Sequence, residues 1–310
     1  ALGKEEDFSL PCVVDWRNVV DLSYEQGVAA IAVLMLAAVI GYLWFNNNNI
    51  LEDDAREAIG KYVYVLRIDS IEVWNGNQGI DKVLRKSDDN YVGTAFSVDG
   101  IGVVTARHCV EYWLYDKLSV LNDSTQWTEE MRMAVEVETY NDTTRGEKKR
   151  MVSVCSLFAS DGSRVMDRVV FDINQSRDKI RSIGKKKWRY VVPVFERDRD
   201  MLLSDYALFA QADEKGIKLA SHDGSINKWV CMLGYPNIES TNRTMVCNAR
   251  RVENADEGTI RLRDKASHGI SGGPIVQRRW FHFEAVGIMS RNDKDGSENS
   301  WATIINLDNK

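Results

Sequence analysis

The stretch ASHGISGGPIV, residues 266–276, sets Ser271 among Gly269, Gly272 and Gly273, with Pro274 and an apolar run directly behind it. Two readings meet here. Ser271 is either a small residue in a tight turn or a nucleophile with a backbone shaped around it. A serine hydroxyl is a poor nucleophile near neutral pH. It needs a base within hydrogen-bond reach, an acid to orient that base, and donors for the oxyanion that forms. Glycines beside the serine serve the last need, because they adopt backbone conformations closed to other residues and let N–H groups approach a carbonyl. One such donor is worth about 10²–10³ in turnover.

The base must come from four histidines, His108, His222, His268 and His282. His268 shares the tight loop with Ser271, so its ring does not easily turn back to the hydroxyl. His222 sits in a polar turn, ASHDGS, and His282 alternates with aromatics in WFHFEA. His108 instead directly follows an apolar strand, GVVTARHCV, which sets an imidazole at a strand end. The orienting acid is expected at the edge of another buried strand. MLLSDYALFA (201–210) supplies Asp205, a lone acid in an apolar run. A carboxylate there is costly to bury without a partner, and a histidine N–H would provide one.

GTAFSVDGIGVVTARHCV (93–110), SDYALFA (204–210), GISGGPIV (269–276), VGIMS (286–290) and CMLGYP (231–236) together resemble chymotrypsin-like serine peptidases of the trypsin/HtrA-type superfamily. The order His, Asp, Ser is that family's, and the resemblance covers about residues 60 to 310. It implies two six-stranded antiparallel β-barrels with the site in the cleft between them. It implies a catalytic triad of His108, Asp205 and Ser271, an oxyanion hole from the N–H groups of Gly269 and Ser271, and no metal or cofactor. Partners implied are protein or peptide substrates.

Three departures matter. Digestive trypsins carry an Asp just before the nucleophile that captures a new N-terminus on activation; Ile270 stands there. Cys109 has no cysteine in the preceding strand to bridge it. The stretch between His108 and Asp205 is long, which implies enlarged hairpins or an insertion near 111–200. The resemblance assigns Lys265, Ala266, Ser290, Arg291 and Asn292 to the substrate pocket. Lys265 occupies the place where trypsins select basic side chains, so with Arg291 it would favour Asp or Glu in the substrate; alternatively Lys265 turns outward to solvent, as lysines commonly do.

The rest of the chain reads as follows. GVAAIAVLMLAAVIGYLWF (Gly27–Phe45) carries no charge; as a helix it would be about 28 Å long, close to a bilayer core of about 30 Å. It is expected to be a single-span anchor contacting membrane lipid. It follows an acidic flank over 1–26 in which only Lys4 and Arg17 are basic, unlike a cleaved signal peptide. Arg56 and Lys61 beyond the span lean the positive-inside balance toward a cytoplasmic peptidase domain. Residues 46–60 read as a juxtamembrane helix. A first barrel is expected over about 61–215 and a second over about 216–310.

Short apolar strands at turn-length spacing argue an all-β barrel or sandwich on their own. They include KYVYVLRIDSIEVW (61–74), RMAVEVETY (132–140), MVSVCSLFA (151–159) and KWVCMLGYP (228–236). Asp99-Gly100 between apolar runs is a hairpin signal. Five cysteines without a C-x-x-C spacing give no metal signature; four of them could form two bridges in an oxidising compartment, or all read as small buried thiols in a reducing one. A net charge of −6 gives no reason to expect a polyanion binder, and the basic clusters at 145–150 and 185–189 read as solvated hairpin tips. The functional expectation is a membrane-anchored regulatory or processing serine endopeptidase, open to an activating protein partner. The alternatives are a catalytically silent binding or scaffold protein on the same fold and a viral polyprotein-processing peptidase.

Overall fold

The computed structural model describes residues 24–46, 48–76, 79–84, 92–114, 123–173, 180–181, 190–193, 205–211, 214–221, 226–236, 244–256, 258–292 and 298–304. His222, Cys12, the basic cluster at 185–189 and most of the expected acidic flank lie outside them. The chain divides into two compact units, 1–50 and 51–310.

In the first unit, the uncharged run forms helix α1 (Tyr24–Asn46). Its described side chains are exposed all round, with Val28, Ile31, Val33, Leu34, Met35, Leu36, Val39 and Ile40 each at least half exposed. The expected single-pass anchor is not supported: among the described residues no helix is long and apolar enough to cross a membrane.

The second unit opens within helix α2 (Asn48–Ile59). Its apolar side buries Ala55 and Ile59. Its polar side is tied down as well: Glu52 Oε1 accepts from the Ala249 N–H at 2.6 Å, and Asp54 pairs with Arg278 at 2.7 Å. The expected juxtamembrane helix is therefore packed into the β unit.

The strands are β1 (Val63–Asn75), β2 (Ile80–Leu84), β3 (Val92–Val98), β4 (Gly102–Thr105), β5 (Lys149–Phe158), β6 (Arg164–Val169), β7 (Asp172–Ile173), β8 (Ile180–Arg181), β9 (Tyr190–Pro193) and β10 (Ala207–Ala210), then β11 (Lys218–Leu219), β12 (Trp229–Gly234), β13 (Val246–Asp256), β14 (Thr259–Arg263), β15 (Pro274–Arg279), β16 (His282–Asn292) and β17 (Asn299–Thr303). One sheet runs β6-β5-β1-β3-β4-β10-β7, with β2 also on β1. The other runs β16-β15-β12-β13-β14-β17 and closes, because β17 pairs back with β16; β11 adds to β16 from outside. The protein is thus mostly β, with one closed six-stranded barrel and one half-barrel. The expectation of two six-stranded barrels holds for the second. The first stays open among the described residues, since β6 and β7 at its two ends do not pair.

Local chemistry explains the elements that matter. Asp99 and Gly100 turn β3 into β4, with Gly100 at φ +69° and Val98 opposite Gly102. The expected strand at 132–140 is instead part of helix α4 (Glu129–Thr143), which follows the four-residue helix α3 (Arg107–Val110) in the chain. Thr128 caps α4 by accepting from the Met131 N–H, and Glu129 and Glu130 lie in its first turn. Met133 and Val137, four apart, are both buried. The alternating valines over 135–137 imitate a strand, but the cap and the helical spacing of the buried residues decide.

Two apolar cores result. One joins the half-barrel to the outer face of the closed barrel and takes in Ala55 and Ile59; the other fills the closed barrel with Val230, Met232, Ile260, Leu262, Ile270 and Ile275. Cys109, Cys155, Cys231 and Cys247 are free and buried.

Candidate active site

Strand register brings His108 and Asp205 together. Antiparallel β4 and β10 set Thr105 opposite Ala207. His108 stands three residues after Thr105, in α3, and Asp205 two residues before Ala207. Both leave the same end of the half-barrel. His108 Nδ1 lies 2.8 Å from Asp205 Oδ2, and the His108 backbone N–H donates to Oδ1 at 2.9 Å. The Ser290 hydroxyl also donates to Oδ2. Three donors converge on one carboxylate that is 2% exposed.

The electrostatics follow. Burial raises the pKa of Asp205, but the His108 charge and the hydrogen bonds from His108 and Ser290 outweigh it and hold the carboxyl below its ordinary value. Burial works against the charged imidazole too, but the Asp205 carboxylate and its hydrogen bond hold the His108 pKa well above 6.5. With Nδ1 donating its proton to Asp205 Oδ2, the proton-free nitrogen of the neutral ring is Nε2.

Ser271 sits on the closed barrel's side. The loop is built from two consecutive turns: the Ile270 N–H donates to the Ser267 carbonyl at 3.3 Å and the Gly273 N–H to the Ile270 carbonyl at 2.9 Å. The third residue of each is a glycine at positive φ, Gly269 at +90° and Gly272 at +85°; such turns favour glycine there. Ile270 is fully buried in the barrel's core and pins the loop from beneath, worth about 1.5–3 kcal/mol of apolar burial. Gly272 N–H donates to the Met289 carbonyl at 2.8 Å, and Met289 N–H returns a bond of 2.8 Å to Gly273, so β16 holds the loop from one side.

A cleft of about 360 Å³ is lined by His108 and Ser271 together. Its other walls are Ala266, Ser267, His268, Gly269 and, from β16, Met289, Ser290, Arg291 and Asn292. The Asn292 amide braces one wall by accepting from the Ala266 N–H at 2.8 Å and donating to the Ala266 carbonyl at 2.9 Å. The N–H groups of Gly269 and Ser271 donate to none of the described residues. Ser271 Oγ donates to the Ser290 carbonyl at 3.4 Å, and Cys109 Sγ lies 3.8 Å from His108 Nε2.

Of the residues expected at the site, His108, Gly269, Ser271, Ala266, Ser290, Arg291 and Asn292 all line this cleft, and Asp205 is bonded behind His108. Lys265 does not: it is exposed and outside the lining, because the chain turns its neighbour Ala266 inward instead. Among the described residues no cluster of His, Cys, Asp or Glu could hold a metal ion.

No protein-family model matches the sequence and no curated protein matches it. Solved structures similar to it include the Rv3671c protease from M. tuberculosis in its active form, at 12% identity and a TM-score of 0.41, over 82% of this chain and 80% of that one. A thermostable serine protease, AL20, from an extremophilic microorganism is 12% identical with a TM-score of 0.41, over 79% and 91%. HL collagenase is 14% identical with a TM-score of 0.42, over 79% and 89%.

Thr94 was not legible as a site residue. Its N–H donates to the Ser271 carbonyl at 2.9 Å. Its hydroxyl donates to the Gly269 carbonyl at 2.8 Å and accepts from the Tyr235 N–H at 3.0 Å. A threonine in a strand carries no signal of such a role. The bond from the Ser290 hydroxyl to Asp205 was equally silent, although the position itself was expected to line the pocket.

Proposed function

We propose that this chain is a serine endopeptidase. Ser271 Oγ attacks the scissile carbonyl while His108 Nε2 takes its proton. The imidazolium, stabilised by Asp205, then passes that proton to the leaving amine. The resulting acyl-enzyme on Ser271 is hydrolysed by water with His108 again as base. The N–H groups of Gly269 and Ser271 receive the oxyanion. The observation that carries this reading is the Asp205-bonded His108 ring sharing a cleft with Ser271. In the resting site Ser271 Oγ turns to the Ser290 carbonyl; catalytic hydrogen bonds are often long or misaligned without substrate and tighten when it binds.

Recognition of an acidic side chain in the cleft rests on Arg291, since Lys265 is exposed away from it.

The orientation of Ser271 favours a second reading, a binding protein on a peptidase fold. A fluorophosphonate probe separates the two. Stoichiometric labelling of Ser271, lost in Ser271→Ala and strongly slowed in His108→Ala, is the expected result. Folded protein that leaves the probe unreacted would exclude the peptidase.

A further inference from the structure

The hairpin between β15 and β16 ends in Trp280 and Phe281, which are 82% and 96% exposed. Arg279 pairs with His282 across a two-residue turn. Trp280 takes φ +50° and Phe281 does not share the positive φ. That is the pattern of a type II′ turn, whose first central position favours glycine. A bulky aromatic there is a backbone outlier. The chain therefore bears backbone strain at Trp280, within a two-residue tip that leaves the largest exposed apolar side chains among the described residues in water. Strain of this kind points to function.

We propose that the Trp280–Phe281 tip is a peripheral lipid contact that enters the interface of a phospholipid bilayer. The area available argues for lipid over a protein surface. Two aromatic side chains bury roughly 150–250 Å² each, far below the about 1,200–2,000 Å² that a stable protein interface needs. An aromatic tip needs no shaped counterpart in a bilayer, where tryptophan favours the headgroup level.

The rim fits the same partner. Arg279 and His282 flank the tip and both lean on Glu284, at 3.6 and 3.1 Å. The rim is thus paired rather than bare cation, as suits zwitterionic headgroups. The tip also lies beside the unit's beginning. Arg278, two residues before Trp280, is bonded to Asp54 of α2.

The test uses the full chain with phosphatidylcholine vesicles whose acyl chains carry bromine, a short-range quencher of tryptophan. Wild type and Trp280→Gly are compared. The substitution suits the positive φ, so the variant is expected to melt no lower than wild type. Bromine should remove emission in wild type that Trp280→Gly does not have to lose, the share of one tryptophan in nine. Phe281→Ser should weaken that quenching with Trp280 still present. Equal loss of emission in wild type and Trp280→Gly would overturn the proposal, whatever other segments bind the vesicles. So would sedimentation showing self-association that Trp280→Gly abolishes, which would give the tip to a second copy of the chain.

Discussion

Thr94 Oγ1 donates a 2.8 Å hydrogen bond to the carbonyl of Gly269, 175 residues later in the chain. Through it a strand of the half-barrel holds the glycine beside Ser271. The same hydroxyl accepts from the Tyr235 N–H at the end of β12, so one side chain ties both sheets to the 267–273 loop. Thr94→Val keeps the shape and removes both bonds, leaving the buried Tyr235 N–H unpaired. An unsatisfied buried group costs about 1–3 kcal/mol. Urea unfolding should show a loss of about 2 kcal/mol, and kcat should fall more than KM rises. Thr94→Ser should recover most of both. Unchanged kcat in a destabilised Thr94→Val would leave Thr94 a purely structural residue.

The pH dependence follows from His108 and Asp205. On the proposed mechanism activity needs neutral His108, and the Asp205 carboxylate holds its pKa well above 6.5. The acid limb of kcat/KM should therefore lie above pH 6.5. In Asp205→Asn the raising charge is gone and burial dominates, so the limb should move to lower pH while kcat falls by about 10⁴. The stability sign is opposite to the activity sign. A histidine raised in the folded state stabilises it fully below about pH 6.5, and that contribution disappears as pH rises through the folded value. Thermal melts from pH 5 to 10 should show it in wild type and not in Asp205→Asn. A limb that stays in place in Asp205→Asn would detach the rate from this pair.

Where local chemistry repeats the tertiary answer, the sequence is legible. His108, Asp205 and Ser271 each sit at the end of an apolar run, and strand ends are where a β scaffold exposes rigid side chains. The Asp99-Gly100 turn and the glycines around Ser271 announce their backbone needs in the same way. Val135 and Val137 misled because alternate valines satisfy a strand's period of two, whereas the buried pair is Met133 and Val137, four apart on one helical face; the Thr128 cap, four residues before the segment that looked like a strand, decided it. Lys265 misled because neighbouring positions on an irregular loop point to opposite sides, and only Ala266 turns in. Thr94 gave no signal, since its role exists only once β3 and the 267–273 loop meet. The closure of one barrel and not the other depends on pairing between distant strands, which no local pattern encodes.

Two glycines give a graded test of the loop. At Gly272, φ is +85° and a Cβ would fall 2.1 Å from the Thr94 carbonyl oxygen and 2.3 Å from Thr105 Oγ1. Gly272→Ala therefore combines backbone strain of about 1–3 kcal/mol with overpacking of about 1–3 kcal/mol, and it pushes the loop away from Thr94. Gly100→Ala has the same backbone problem at φ +69° but meets nothing within 4 Å, so it should cost only about 1 kcal/mol. Fluorophosphonate labelling should be lost in the first and retained in the second. Comparable stability for the two would mean that the loop does not press on β3.

On the proposed peptidase reading, charge in the cleft should select the side chain that precedes the cut. Arg291 lines the cleft, whereas Lys265 is exposed outside it. A cation in a partly dry cavity favours a carboxylate and disfavours Lys or Arg in substrate. Arg291→Glu should therefore reverse the ranking of substrates by charge. A peptide library should shift from cleavage after Asp or Glu toward cleavage after Lys or Arg, with the preference ratio moving by at least about tenfold, or roughly 1.4 kcal/mol. Lys265→Glu should leave the ranking nearly unchanged, because its charge is screened by solvent. If Lys265→Glu moves the ranking and Arg291→Glu does not, the loop rearranges on binding so that position 265 faces the substrate, and Arg291 serves the barrel wall instead.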